Sequence, residues 1–245
     1  PSVRRVALLC RWLNFLHFWP VDISVTSMHT EFCTGLLLME LMKVLVPGCE
    51  SQYLRVNRKT LSRKPAESNL EQAIGVIFRS KTVNHSRIPT ASEIFDGNIN
   101  KIVILLDELF ITYIQAPLYK SAIKMFRWYT KILKQYQRPL PDDVFDSGDV
   151  GYVWPAFQSG VSLFCVIYHF FGNTVIGSGS TTVKIDPIRI VYDARSYDDM
   201  KANVTYCFQL LKALDIQLLW LPEEWITLPD TEFCTLQLSY IFEFL

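Results

Sequence analysis

Apolar residues recur along this chain at helical rather than strand spacing. Val6, Leu9, Leu13 and Leu16 fall at i, i+3, i+7 and i+10, one face of a helix that Pro20 is expected to close. Residues 32 to 46, FCTGLLLMELMKVLV, read as a second, almost wholly apolar helix ended by Pro47-Gly48. Ser68 and Glu71 have capping-box spacing and open a helix striped by Leu70, Ala73, Ile74 and Ile77. Ile102, Leu105, Leu106, Leu109 and Tyr113 form another stripe, which Pro117 stops. The same order then returns. A helix is predicted over 121–137, and an apolar one over 156–171 halted by Gly172. A third covers 198–214 with Val204, Phe208 and Leu211. The last is capped by Asp230 and carries Phe233, Leu236, Tyr240, Ile241 and Phe244. Strand patterns are scarce, and VIGSGSTTVKI at 175–185 reads as a loop or hairpin.

One short phrase marks the repetition. Phe32, Gly35 and Leu38 have the spacing of Phe157, Gly160 and Leu163. The aromatic is expected to begin a helix, the glycine to let another segment approach the backbone, and the leucine to fill a core. The pattern predicts two related all-α domains, 1–116 and 117–245, each of ordinary size, meeting at a short linker near 115–119. The second carries extra loop, PLPDDVFDSGDVGY, between its first two helices.

Composition agrees with a packed protein. Half of the 245 residues are apolar, a fifth are charged, and the formal net charge is zero. There is no bulk attraction to nucleic acid or to an acidic membrane. Residues 1–114 hold 13 Lys+Arg against 10 Asp+Glu, and residues 115–245 hold 11 against 14, so the first half is the more basic. The six cysteines form no C-x-x-C pair and sit mostly in apolar runs, as buried reduced thiols do. No run of eighteen apolar residues occurs; the best candidate, 102–114, contains Asp107 and Glu108. The text at both ends is helix-like, which suggests a piece of a longer protein.

Charge patterning is more informative than total charge. Lys120, Lys124, Arg127, Lys131 and Lys134 fall at i, i+4, i+7, i+11 and i+14, one face of a helix, and no acidic residue lies between Glu108 and Asp142. Such a stripe is either a solvated face or a contact for an acidic polymer. A second cluster, Arg55, Arg58, Lys59, Arg63 and Lys64, reads as a basic loop before the capped helix. Trp12 and Trp128 are read as core residues at helical spacing, and His169 as a core histidine. Catalytic and metal signatures are missing from the pattern. The four histidines lack ligand spacing. GSGSTT at 177–182 has no phosphate-loop lysine, and DDVFDSGD at 142–149 lacks the ligand alternation of a calcium loop. No enzyme activity, cofactor or metal is expected.

The order of motifs resembles the calponin homology domain family. RWLNFL at 11–16, FCTGLLLMEL at 32–41, SNLEQAIGVIF at 68–78 and GNINKIVILLDELFITYI at 97–114 are similar to its successive helices. FRWYTKIL at 126–133, FQSGVSLFCVIYHF at 157–170, MKANVTYCFQLLKAL at 200–214 and PDTEFCTLQLSYIFEFL at 229–245 repeat them. The resemblance implies two calponin-homology-like domains in tandem and a non-enzymatic cytoskeletal module. An actin filament is the first expected ligand, with the first helix of the second domain among its contacts. Departures from the actin-binding pattern keep two alternatives open: the lead ALLCRW into the first tryptophan, the short linker and the extra loop at 172–187. One is attachment to microtubules or an axoneme, since tubulin is acidic and the loop cluster is basic. The other is a protein-protein adaptor or dimerisation platform. Either way the expected location is cytoplasmic, on the cytoskeleton or in a cilium or flagellum, with no nucleic acid or membrane partner.

Overall fold

Ser2 caps the first helix by accepting the Arg5 N–H on its side chain, and α1 runs Val3–Phe15. In this computed structural model, which describes residues 2–58, 62–80, 83–142, 145, 153–177, 182–227 and 230–245, α1 buries Leu8, Leu9, Trp12 and Leu13. It ends before Pro20 is reached. His17 adopts a left-handed φ of 49°, and that turn closes the helix in place of the expected proline.

The chain divides into two units, Pro1–Pro117 and Leu118–Leu245. In the first, α1 is followed by α2 (Met28–Phe32), α3 (Leu36–Leu45), α4 (Arg63–Ser80), α5 (Ala91–Phe95) and α6 (Ile99–Phe110). A π-helical turn, Ile111–Gln115, leads directly into α7 (Ala116–Lys134). The second unit continues with α8 (Trp154–Phe157), α9 (Val161–Phe171), a two-residue antiparallel pair of β1 (Val175–Ile176) and β2 (Val183–Lys184), α10 (Tyr197–Ala213), α11 (Pro222–Thr227) and α12 (Thr231–Phe244). The regular structure is overwhelmingly helical, as the periodicity predicts.

The repeated phrase folds differently from its expected single helix. Phe32 closes α2 rather than opening α3, and Gly35 breaks the run at φ +75° before α3 begins. Phe157 likewise closes α8, and Gly160, at φ +78°, precedes α9. Helical hydrophobicity on both sides hides the break, because a left-handed glycine interrupts the backbone without interrupting the apolar face. The expected close approach is present. A Cβ at Gly35 would lie 2.7 Å from the Cβ of Asn69 on α4, and one at Gly160 would lie 3.0 Å from the Cβ of Asn203 on α10. Both asparagines are fully buried. α3 packs on α4 and α9 on α10, so the same pair of helices forms the centre of each unit.

Other boundaries shift for identifiable reasons. α4 begins at Arg63, so Ser68 and Glu71 are interior and form no capping box; the reciprocal box is Thr90 with Glu93 at α5. Ser196 caps α10, with Asp198 and Asp199 in its first turn, while Asp230 caps α12 as expected. Pro117 does not stop a helix. The π turn before it bonds the Ala116 N–H to Ile111 O, five residues back, and this wider turn leaves the proline in the first turn of α7.

By length and apolarity the helical run Ile99–Lys134 is sufficient to cross a membrane. Within the first unit, however, Leu105, Leu106, Leu109 and Phe110 are buried in the core. Asp107 pairs with Arg5 at 2.9 Å and with Arg87 at 2.7 Å, and Glu108 with Arg87 at 3.2 Å. There its apolar face packs inward and its carboxylates are paired.

Candidate functional site

α7 has two faces. Ala122, Met125, Phe126, Tyr129, Ile132 and Leu133 are buried, and Tyr129 donates its hydroxyl to Leu238 O on α12 at 2.6 Å. On the opposite face Lys120, Lys124, Arg127, Lys131 and Lys134 are all exposed. None of the five has an ion-pair partner among the described residues. Like charges one turn apart cost roughly 0.2–0.5 kcal/mol per pair. The helix tolerates this because its inner face is anchored by burial, and the result is an uncompensated positive strip.

Part of the strip borders a recess of about 420 Å3, lined by Arg127, Thr130, Lys131, Lys134, Asp142 and Phe145. The Thr130 hydroxyl is buried and has no hydrogen-bond partner among the described residues. The sequence pattern did not single out Thr130, Asp142 or Phe145. Phe145 was detectable as an aromatic in the loop PLPDDVFDSGDVGY, but nothing in that loop indicates its return to α7.

The cluster in the first unit separates into three parts. Arg55 and Arg58 are exposed, as is Lys64 in the first turn of α4, and none has an ion pair among the described residues. Arg63 is already engaged: it bridges Glu67 at 2.9 Å and Asp96 at 2.8 Å and lies over the Phe95 ring. Lys59 lies outside the described residues. The segment carrying Arg55 is fixed rather than loose. Gln72 on α4 accepts the N–H groups of Leu54 and Arg55 and donates to Arg55 O at 2.9 Å. Leu54, just before Arg55, is left 95% exposed.

The aromatic and histidine expectations resolve unevenly. Trp12 is fully buried and meets Phe110 edge-on at 5.3 Å. Trp128 is only half-buried, stacked on the partly exposed Phe170 and edge-on to Phe242. His169 is exposed, not a core residue, because α9 turns its last residues outward before Gly172. Five of the six cysteines are buried free thiols and Cys33 is half-buried. Burial pushes the Cys10 thiol up to about 11, against a smaller opposing effect of Arg11. Among the described residues no cluster of His, Cys, Asp or Glu is suited to hold a metal ion. The calcium-loop text at 142–149 lies mostly outside the described residues.

No curated protein sequence matches the chain. Over 98% of its length the chain is similar in structure to the actin-crosslinking core of Schizosaccharomyces pombe fimbrin, with a TM-score of 0.60 and 15% identity. It spans 48% of that chain. At this identity the likeness establishes the fold, an all-α arrangement of two such domains in tandem. Residues 4–115 match the calponin homology (CH) domain family. The first unit therefore carries a calponin homology domain, and the second repeats its fold.

Proposed function

We propose that this chain is a non-catalytic cytoskeletal module that attaches to an actin filament, in the cytoplasm, through the exposed cations of α7. Arg55, Arg58 and Lys64, together with Lys59, supply a second basic contact, and Arg63 is left to its intramolecular partners. One observation carries the reading: five cations share one face of α7 with no acidic partner among the described residues. An acidic polymer compensates that face without any rearrangement of the helix. The calponin homology match in the first unit and the likeness to the actin-crosslinking core of fimbrin support actin as the polymer.

The test is co-sedimentation with actin filaments and, in parallel, with microtubules, at low and moderate salt. A variant with Lys124, Arg127 and Lys131 changed to Glu is carried alongside. Pelleting with actin that weakens with salt and disappears in the variant supports the proposal. Pelleting with microtubules alone replaces actin by tubulin. Pelleting with neither overturns direct filament attachment and leaves an adaptor.

A further inference from the structure

The five α7 cations are not equivalent. Arg127, Lys131 and Lys134 border the recess with Thr130, Asp142 and Phe145, while Lys120 and Lys124 stand outside it. We infer that the recess is the anchor of the contact: it seats carboxylate side chains of an acidic, helical segment of the partner protein, and Lys120 and Lys124 act only at long range. The inference rests on the reading of α7 as the filament contact and deepens it by naming what the contact grips.

Three observations favour an acidic peptide over a compact polyphosphate. First, the cations lie in a line. With a rise of 1.5 Å per residue, Lys120 to Lys134 covers about 21 Å, and the three around the recess cover about 10 Å. A helix with Glu at i, i+4, i+7 and i+11 presents carboxylates at the same intervals, whereas a compact polyphosphate gathers its charge around one small body and cannot follow the line. Second, Asp142 belongs to the lining. It repels a ligand that is anionic all round, but it can accept a hydrogen bond from a peptide that mixes donors with carboxylates. Third, Phe145 gives the recess an apolar wall that phosphate cannot use and the methylenes of Glu can.

The two groups of cations then have different tasks. Charges bordering a recess are partly desolvated when it fills, and their loss raises the dissociation rate. Charges on open helix surface chiefly accelerate encounter and set the salt dependence. Thr130 adds a buried hydroxyl beside the recess that has no hydrogen-bond partner among the described residues.

The experiment uses the whole chain and no filament. A fluorescent helical peptide of about 15 residues, with Glu at i, i+4, i+7 and i+11, is titrated by anisotropy. It is compared with a peptide of identical composition in scrambled register, and with inositol hexakisphosphate. The expected result is tighter binding of the in-register peptide, a loss of about tenfold or more in Arg127→Gln/Lys131→Gln, and about threefold or less in Lys120→Gln/Lys124→Gln. Thermal melts confirm that these exposed substitutions leave the fold intact. Equal binding of the two peptides overturns the inference, as does equal loss in the two double variants. Tighter binding of inositol hexakisphosphate than of peptide replaces the acidic segment by a phosphorylated ligand. If the peptide binds as expected and actin does not pellet, the actin reading fails and the recess keeps its acidic partner. If actin pellets and the peptide results fail, only the recess is wrong.

Discussion

Asn203 makes in the second unit the three hydrogen bonds that Asn69 makes in the first. Each accepts, at 2.9 Å, the N–H of the residue twelve positions earlier, Asn57 or Val191. Each donates at 2.9 Å to that same residue's carbonyl. Each also donates to the carbonyl just before the left-handed glycine, Thr34 O at 3.2 Å or Ser159 O at 3.1 Å. One buried amide therefore fastens the incoming segment and the glycine turn to the central helix. Asn69→Ala and Asn203→Ala leave these backbone groups unpaired and should each cost about 2–4 kcal/mol by urea denaturation. Asp is a poorer replacement than its shape suggests, because it has no N–H to give to two carbonyls. A melt unchanged by Asn203→Ala would show that the amide is dispensable.

The glycines of the phrase contribute by a separate route. Gly35→Ala requires a Cβ 2.7 Å from Asn69 Cβ and 2.8 Å from Leu70 N, in a left-handed backbone. Gly48 has a similar φ, +87°, with nothing near its missing Cβ. Gly48→Ala therefore carries backbone strain alone, about 1 kcal/mol, and Gly35→Ala should exceed it by at least about 2 kcal/mol. Equal losses would mean that the conformation, not the close approach, fixes glycine at Gly35.

Alkaline pH should destabilise the protein in a defined window. Burial raises the thiols of Cys10, Cys207 and Cys234 and the hydroxyl of Tyr129, Cys10 to about 11. The folded values lie above the unfolded ones, so the unfolded chain gives up its protons first. The stabilisation is complete below about pH 9 and is lost as pH rises through the folded values, at up to about 1.4 kcal/mol per pH unit for each group. Urea midpoints should fall between about pH 9 and 11, and Cys10→Ala should make the decline shallower. A midpoint that stays flat across this range contradicts the burial of these groups.

Arg87 holds two carboxylates at once, Asp107 at 2.7 Å and the buried Glu108 at 3.2 Å. Arg87→Met leaves Glu108 with the Asn84 N–H and no cation in reach among the described residues, and should cost about 1–3 kcal/mol, Arg87 itself being one-third exposed. Arg87→Lys should recover only part of this, since one ammonium cannot span both acids. Full recovery by Lys would reduce the pairing to a simple charge effect.

Helix order, the repeat and the basic stripe were legible in the sequence because each rests on periodicity, and solvent and core impose that period locally. What periodicity cannot show is a break that preserves the apolar face. The left-handed turns at Gly35 and Gly160 are therefore invisible to it, although the glycines themselves stand out. Capping boxes mislead when the spacing recurs inside a helix, as Ser68 and Glu71 show. The partners of Asn69 and Asn203 depend on which loop returns to the helix, and composition carries no trace of that. Among the cations the stripe was readable because its geometry is one helix face. The engagement of Arg63 was not, since Asp96 reaches it from 33 residues away.

Alignment by residue type also misplaced one aromatic, and this has a measurable consequence. Trp128 matches Trp12 by letter, yet its neighbour Tyr129 is the fully buried one of the two, edge-on to Phe157 at 5.2 Å as Trp12 is to Phe110. The helix turns one residue further because Arg127, beside Trp128, belongs to the exposed strip. Tyr129→Phe keeps the ring and loses only the hydroxyl bond to Leu238 O, and should cost about 1–2 kcal/mol. Trp128→Phe keeps an aromatic against Phe170 and Phe242 on a half-open surface, and should cost less than about 1 kcal/mol. Paired urea denaturation curves give the order directly. If the tryptophan change were the more damaging, Trp128 would carry the core position and the face assigned to the cations would rotate with it.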